Sequence, residues 1–592
     1  MLKPAEDRLN YSDLLIPPGG FELEFAIGTT YSLDLEALIG IPLSLSLSEE
    51  IDETLTSNPL YMLEGLRKSK DKFAIFCEAG QIKVPQKGNF IFSQLENNVF
   101  EVALQNEKSF HPKVWLIKYK NAEGDTYFRL LVLSRNLTFD RSWDMAVCLE
   151  GKKNNRKTRK NRPLSDFLSF LLRFANQDSK TKKMKKLIEE LDYVHFKTDD
   201  KHFPDFDFHP IGIEGYGKEE TELFQTYHHL MIFSPFLSKS TIEELNSLSL
   251  MHATKTLITR KAELAKLNQS LFEDFRVYVL KDFIIEGESS VSGDTEQLTM
   301  AKLQDIHAKM YVRTKYSQHH MYIGSANCSN NAFNGNVEFL LKLQYQKHGF
   351  RISQLLKELF GEDEMENPFE EITELPVFEE VDDRISDQLE KAIKQLCRTE
   401  FDAEVTQKSG IYQARVEFDE IPRDVEWMIA PLLSKREQRL EHCTIFENLS
   451  LIELGEFYKV KASKQDHTIE RIIKIPTRGI PEERDSEVYQ LIIRDKQTFL
   501  QYVSFLLSDD YLLSAIEAMD YKAKTSGVMP HRREVNQPAI YESLLKATAE
   551  SPNKLKDIRQ IMEMIKDKEI IPEDFESVYS IFFEVAKKVK RR

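Results

Sequence analysis

Short apolar runs alternate with polar helical or turn segments along the first 150 residues: FELEFAIGTTYSL, KFAIFCEAG, NNVFEVALQ, FHPKVWLIKY, YFRLLVLSRN and DMAVCLEG. Runs of this length bounded by turn residues predict strands, and the longer stretches between them predict helices, so the pattern is mixed α/β. A similar order returns after residue 225 in HHLMIFSPFLSKSTIEELNSL, KTLITRKAELAKL, FRVYVLKDF, IHAKMYVR, HHMYIGSAN and NVEFLLKL. The recurrence predicts two pseudo-symmetric lobes of one fold, and not a solenoid, which needs many short repeats.

The pattern divides the chain into a first lobe over 1–151, a basic connection with a helix over 152–200 and a second lobe over 201–358. Residues 359–384, GEDEMENPFEEITELPVFEEVDDR and its flanks, hold eleven acidic residues and two prolines and read as an acidic linker. A mixed α+β accessory domain is expected over 385–480, from the helix RISDQLEKAIKQLC and the strands GIYQARVEF, FYKVKA and IERIIKI. A helical C-terminal domain is expected over 481–592.

Composition narrows the function classes. The chain has 592 residues, 41% hydrophobic and 30% charged, an ordinary globular balance. Its net charge of −16 does not favour polyanions, so any nucleic-acid role needs a local basic patch. Five cysteines without a CxxC pair suit neither a disulfide framework nor a thiolate metal site, and fit a reducing cytosol. No signal peptide and no apolar run long enough to span a bilayer is visible, so a soluble cytoplasmic protein is expected.

Two motifs carry chemistry. In FHPKVWLIKY strand alternation puts His111 and Lys113 on one face, and IHAKMYV does the same with His307 and Lys309. Downstream of each, a Ser-x-Asn ends an apolar run: Ser134 and Asn136, then Ser325 and Asn327. An acidic residue then opens a strand-like run, Asp144 in one case and Glu338 in the other. A third H-x-K, His195 and Lys197, has no such companions, so it is the complete set occurring twice that points to function.

These residues suit phosphodiester transfer. One imidazole can attack phosphorus while the second protonates the departing oxygen, then reverses its role to activate water. Two Lys and two Asn would neutralise the non-bridging oxygens, so neither metal nor cofactor is required. Asp144 and Glu338 would fix the tautomer and orientation of a histidine, or act only as caps or salt-bridge partners.

On these motifs residues 20–350 resemble the phospholipase D superfamily, whose members pair two H-K-containing motifs in one active site. The usual Asp five residues after each Lys is replaced by Lys118 and Thr314, while both Asn are kept, and Leu133 stands where the first motif would carry Gly. This H-K-N form is similar to the tyrosyl-DNA phosphodiesterase branch and to bacterial H-K-D-family nucleases near helicases and in phage-defence or restriction loci. The resemblance implies two phospholipase D-like lobes, with His111 as nucleophile and His307 as general acid.

The fold does not decide the substrate. Lacking a span, a signal or a basic amphipathic helix, the chain is expected to act on nucleic acid, DNA more than RNA, and not on lipid. Lys152, Lys153, Arg156, Lys157, Arg159, Lys160 and Arg162 put seven cations in eleven residues, which could track a phosphate backbone beside the cleft or form a solvated loop. Trp115 is expected in the core, with Trp143 left open between core and stacking. The acidic stretch Glu362 to Asp383 could fold over the cleft as a polyanion mimic, or be a solvated linker. No P-loop is present, so any motor would be a partner ATPase or helicase. The expectation is a DNA nuclease of a bacterial defence or restriction system. The alternatives are a repair enzyme that removes tyrosyl or other adducts from DNA ends and a non-catalytic binding subunit. Both motifs lie in one chain, so an oligomer is possible but not required.

Overall fold

A computed structural model describes residues 9, 11–47, 58–86, 88–138, 142–281, 305–346, 351–361, 367–374, 384–408, 410–508, 540–565 and 567–589. Among them no helix is long and apolar enough to cross a membrane.

The first sheet is built from β1 (Phe21–Thr30), β2 (Phe73–Glu78), β3 (Val99–Val102), β4 (Val114–Asn121), β5 (Thr126–Leu133), β6 (Ala146–Lys153) and β7 (Val194–Thr198), in the order β7-β6-β5-β4-β1-β2-β3. The second contains β8 (Asp205–Ile211), β9 (Tyr227–Phe233), β10 (Ser249–Thr259), β11 (Phe275–Leu280), β12 (Met310–Lys315), β13 (Gln318–Gly324), β14 (Glu338–Tyr345) and β15 (Phe369–Ile372), ordered β8-β14-β13-β12-β9-β10-β11-β15. The run β6-β5-β4-β1-β2-β3 has the same order and directions as β14-β13-β12-β9-β10-β11. In both, the first strand pairs parallel with the next in sequence, which pairs parallel with the one after it, and the first strand's other edge pairs antiparallel with the leading strand of the hairpin.

Both faces of each sheet are covered, which is why the strands read as near-continuous apolar runs. In β4, Val114 and Leu116 face a core shared by the two sheets, while Trp115, Ile117 and Tyr119 face the opposite way, placing Trp115 in the core as expected. The shared core also takes Leu164, Phe167, Leu168 and Leu171 of α3 (Arg162–Leu171), Met184, Leu187 and Leu191 of α4 (Asp178–Leu191), and Leu355, Leu356 and Leu359 of α5 (Ile352–Phe360). Each such side chain, fully buried, contributes about 1.5–3 kcal/mol.

The other face of the first sheet shares a hydrophobic core with α1 (Leu35–Leu47), α2 (Pro59–Ser69) and the C-terminal helices α7 (Glu483–Ile492), α8 (Lys496–Leu507), α9 (Ile540–Glu550), α10 (Pro552–Met564) and α11 (Glu573–Val589), which meet α2, as in Tyr61 against Phe505 with ring centroids 4.2 Å apart. The described residues of 481–592 thus share one hydrophobic core with the first sheet. Arg484 of α7 ion-pairs with buried Glu96 at 2.7 Å, and Tyr502 of α8 donates to Glu64 at 2.6 Å. Between lies the mixed region: α6 (Arg384–Leu396) and strands β16 (Phe401–Lys408), β17 (Ile411–Phe418), β18 (Glu426–Pro431), β19 (Cys443–Leu449), β20 (Phe457–Lys464) and β21 (His467–Lys474). Its larger sheet recruits Leu33–Asp34, which follow β1, and Ile82–Lys83, which follow β2.

Two connecting segments also join sheets. The basic connection ends in β7, an edge strand of the first sheet, and the stretch read as a linker supplies β15, an edge strand of the second through Val277↔Ile372 to Leu280↔Phe369. The rest of Glu362 to Asp383, apart from residues 367–374, lies outside the described residues.

Candidate active site

Strand direction decides what meets at the site. Lys113 immediately precedes β4, Ser134 follows β5, Asp144 stands two residues before β6, and Tyr31 follows β1, so all four gather at one end of the first sheet. Lys309 before β12, Ser325 after β13 and Glu338 opening β14 gather at the matching end of the second.

The same backbone bonds frame both sets. Ser134 N donates to Met145 O (2.9 Å) and its Oγ accepts from Met145 N (2.8 Å); Ser325 N donates to Phe339 O (3.0 Å) and its Oγ accepts from Phe339 N (2.9 Å). Leu133 N donates to Lys113 O at 2.9 Å, the counterpart of Gly324 N to Lys309 O at 3.4 Å, so leucine at this position keeps the local geometry.

The two sheets then exchange partners. Phe110 bridges Val337, and His111 N donates to Val337 O at 2.9 Å. Ile306 pairs with Trp143 in the same parallel sense, and His307 N donates to Trp143 O at 2.9 Å. Each histidine strand is therefore clipped to the residue preceding the other sheet's acid. Trp143 itself packs edge-on against Phe369 of β15, ring centroids 5.4 Å apart.

His111 Nδ1 donates to Glu338 Oε2 at 2.9 Å, which leaves Nε2 as an acceptor, and Lys113 Nζ donates to it at 3.1 Å. Glu338 is itself held by the Ser325 hydroxyl and, at 3.4 Å, by Asn336 Nδ2. Asp144 takes its hydrogen bonds from Ser142 Oγ (2.6 Å) and Ser134 Oγ (3.4 Å). Lys113 Nζ donates to His111 O at 3.0 Å, as Lys309 Nζ does to His307 O at 2.6 Å; Lys309 also reaches Ser134 O on the other sheet at 3.4 Å. Asn136 Oδ1 accepts from Ser32 N at 3.5 Å, while Asn327 Oδ1 is buried with no partner.

Burial dominates the electrostatics. It pulls the His111 pKa down to about 4, against the pull of Glu338, so the imidazole is neutral near pH 7 with its Nε2 lone pair intact. Burial and then Lys309 hold Lys113 well below the usual lysine range. Burial brings Lys309 down to about 8, opposed by Asp144 and Glu338, and pushes the Asp144 carboxyl up. Among the described residues no group of three or more His, Cys, Asp or Glu side chains is gathered as a metal ion would need.

The basic segment lies elsewhere. It leaves β6 at Lys153, the end opposite the site, and at about 3.3 Å per residue Lys152 sits roughly 25 Å from Asp144. Lys157 pairs with Asp192 at 2.7 Å, Lys160 with Asp205, and Arg162 with Asp166 at 3.6 Å; Lys160 also stacks 4.0 Å over the Phe206 ring. Lys152, Lys153, Arg156 and Arg159 stay with them at that far end, away from the site-end residues of the first sheet. The third H-x-K is there too, His195 Nε2 lying 2.9 Å from Arg156 O.

Sequence reasoning missed several groups at the site end. The Tyr31 ring lies 5.0 Å from that of His111. Arg260, after β10, donates through Nε to Ile306 O at 3.1 Å and lies 4.6 Å over the ring of Phe236, which is 43% exposed. Phe236 is on a loop tied to the second motif by the Leu237↔Cys328 bridge and by Cys328 N donating to Ser234 Oγ at 2.9 Å. The signal available was position alone: each follows a strand that ends at the site.

No family model matches the sequence, and no curated protein matches it. Solved structures do. Yeast tyrosyl-DNA phosphodiesterase aligns with 58% of this chain and 88% of its own at 12% identity and a TM-score of 0.35. Phosphatidylserine synthase of Haemophilus influenzae Rd KW20 covers 65% of this chain and 88% of its own at 11% identity, TM-score 0.36. Polyphosphate kinase from Porphyromonas gingivalis covers 58% and 43%, at 11% identity and a TM-score of 0.29. All three are phospholipase D superfamily members. At these scores a likeness decides nothing about chemistry, which the side chains of this chain must carry.

Proposed function

We propose that the chain is a phosphodiesterase that cuts DNA without a metal ion, through a phosphohistidine intermediate, and that its two sheets are the pseudo-symmetric lobes of one active site. The observation that carries this reading is the His111 Nδ1–Glu338 bond closing across the two sheets at 2.9 Å, with a neutral Nε2 left beside Lys113.

In this reading His111 Nε2 attacks phosphorus as Lys113 moves from the imidazole to a non-bridging oxygen. The P–O bond to the leaving group breaks and His307 gives that oxygen a proton. His307, now neutral, takes a proton from water; the hydroxide attacks phosphorus, the N–P bond breaks, and His111 is restored. Lys113 and Lys309, with the amides of Asn136 and Asn327, meet the charge that builds on the phosphoryl oxygens. The buried Asn327 amide, with its NH2 turned inward, would find its missing partner there.

A nucleic-acid substrate is supported by the rim of the second sheet. An exposed Phe236 ring under the Arg260 guanidinium, beside the strand of His307, is suited to stacking a base next to the scissile phosphate. The same ring would accept a tyrosyl leaving group, which keeps adduct removal at DNA ends as the second reading. A setting in bacterial defence or restriction, with a partner ATPase or helicase, rests on the resemblance of the motifs.

The test is cleavage of supercoiled plasmid and labelled single-stranded DNA in excess EDTA by wild type, His111→Ala and His307→Ala. EDTA-resistant cutting lost in both variants supports the reading. Cutting that needs a divalent ion, or survives both substitutions, removes it.

A further inference from the structure

The mixed C-terminal region reaches the site end through α6 and the residues just after it, where Arg398 also donates to Lys108 O at 3.4 Å. Helix α6 buries Leu389, Ala392, Ile393 and Leu396 against the strands of its own domain. Its other side faces the first lobe: Glu390 pairs with Arg471 and accepts from Gln81 Nε2 at 2.6 Å, and one turn later comes Lys394.

Lys394 Nζ donates to Ser109 Oγ at 2.8 Å, lies 3.3 Å from Glu78 Oε1 and sits 5.1 Å from the centroid of the Tyr31 ring. Each of these partners leads to His111. Glu78 accepts from Phe110 N at 2.6 Å through its other oxygen, and the Tyr31 ring leans on the His111 imidazole. Ser109 N donates to Asn336 Oδ1 at 3.2 Å, and its carbonyl accepts from Val337 N at 2.9 Å. Residues 109–111 are thus gripped from the second sheet on one side and from α6 on the other.

Lys394 is 17% exposed and Glu78 3%, so both charges are largely out of water. Such a pair adds little net stability over packed apolar side chains, whereas its directional bonds fix geometry. Burial works against the Lys394 charge, but Tyr31 and Glu78 outweigh it and raise its pKa.

We propose that Lys394 is a positioning residue of the active site: through Glu78, Ser109 and Tyr31 it sets the segment and the ring that orient His111, so the C-terminal region is part of the working site. This rests on the reading of His111 as the nucleophile. Lys394 touches neither phosphate nor imidazole.

The experiment uses full-length Lys394→Met, Lys394→Arg and Ser109→Ala. It measures single-stranded oligonucleotide cleavage and, separately, the titration of His111 by NMR of isotopically labelled histidine, assigned with His111→Gln. Displacing a reacting group by a fraction of an ångström to an ångström costs up to about 100-fold, so Lys394→Met should lose about 10- to 100-fold in kcat with little change in KM. Arg keeps the charge and should recover most of that loss, and Ser109→Ala should lose several-fold in the same direction. In Lys394→Met the His111 titration should move up from its depressed position as water and mobility reach the ring. A Lys394→Met protein that cuts with wild-type kcat and leaves His111 titrating as in wild type overturns the proposal. If that variant does not fold, Ser109→Ala decides by the same two readouts. Should wild type fail to cut any phosphodiester, the function proposed above falls, while the NMR titration still decides whether Lys394 positions His111.

Discussion

Glu338, from the second sheet, accepts the Nδ1–H of His111, from the first, at 2.9 Å. The residue that orients one motif's imidazole therefore belongs to the other motif, and neither sheet holds a complete site. Glu338→Gln removes the carboxylate and offers an amide that can donate to Nδ1, favouring the wrong tautomer. Loss of about 10²- to 10⁴-fold in kcat is expected, by analogy with the third member of a catalytic triad. Because Glu338 raises the His111 pKa, the acid limb of the pH profile should also move to lower pH. A pH–rate profile of the variant checks both.

The wild-type profile follows from buried groups. His111 must be neutral at Nε2, so kcat/KM should fall below about pH 4, where that ring takes a proton. Lys113 and Lys309, both depressed by burial, must be charged, so the rate should also fall toward alkaline pH, no later than about pH 8, where Lys309 loses its proton. The double variant Lys113→Arg/Lys309→Arg should push that limb upward. The depressed His111 also links to folding. Its contribution is fully present above the unfolded pKa of 6.5 and is lost as pH falls from there toward 4, which urea melts at pH 7 and pH 4 would register.

Gly324 ends β13 hard against β14, opposite Leu340. A Cβ there would lie 2.1 Å from Phe339 O, inside any tolerable contact and against backbone. Gly324→Ala should therefore push β13 off β14, costing about 1–3 kcal/mol and misplacing Ser325. A thermal melt with paired cleavage assays would show both losses together.

Phe236 offers its ring beside the strand of His307. Removing a base-stacking aromatic costs about 1–3 kcal/mol, so Phe236→Ala should raise KM for single-stranded DNA about five-fold or more and leave hydrolysis of a small chromogenic phosphodiester unchanged. An equal effect on both substrates would place the ring outside the DNA path.

The two motifs were legible because residue identity and spacing are local: His111 and Lys113 lie just before β4 and Ser134 and Asn136 just after β5, so they flank the strands on which the sequence pattern had placed them in alternation. The exchange of Glu338 to His111 was not, since it depends on how two sheets face each other. The distance of the basic segment from the site was hidden for a related reason. Its closeness to Asp144 in sequence is undone by the length of β6, which carries it to the far end of the sheet. Lys394 meets Ser109 across 285 positions, and α6 shows only the amphipathic pattern that buries its other face. The C-terminal helices gave no sign of their partner because apolar stripes do not name the surface they cover, here α2 and the core it shares with the first sheet.

The central claim is that His111 carries the phosphoryl group. The most direct measurement supplies His307→Ala with a p-nitrophenyl phosphodiester, whose leaving group needs no protonation, so the first step proceeds while water activation stalls. An adduct that survives alkali, is lost in acid and maps by mass spectrometry to the peptide holding His111 is predicted, and His111→Ala should form none. Release of p-nitrophenol with no adduct on His111, or with the group on another residue, would contradict the account.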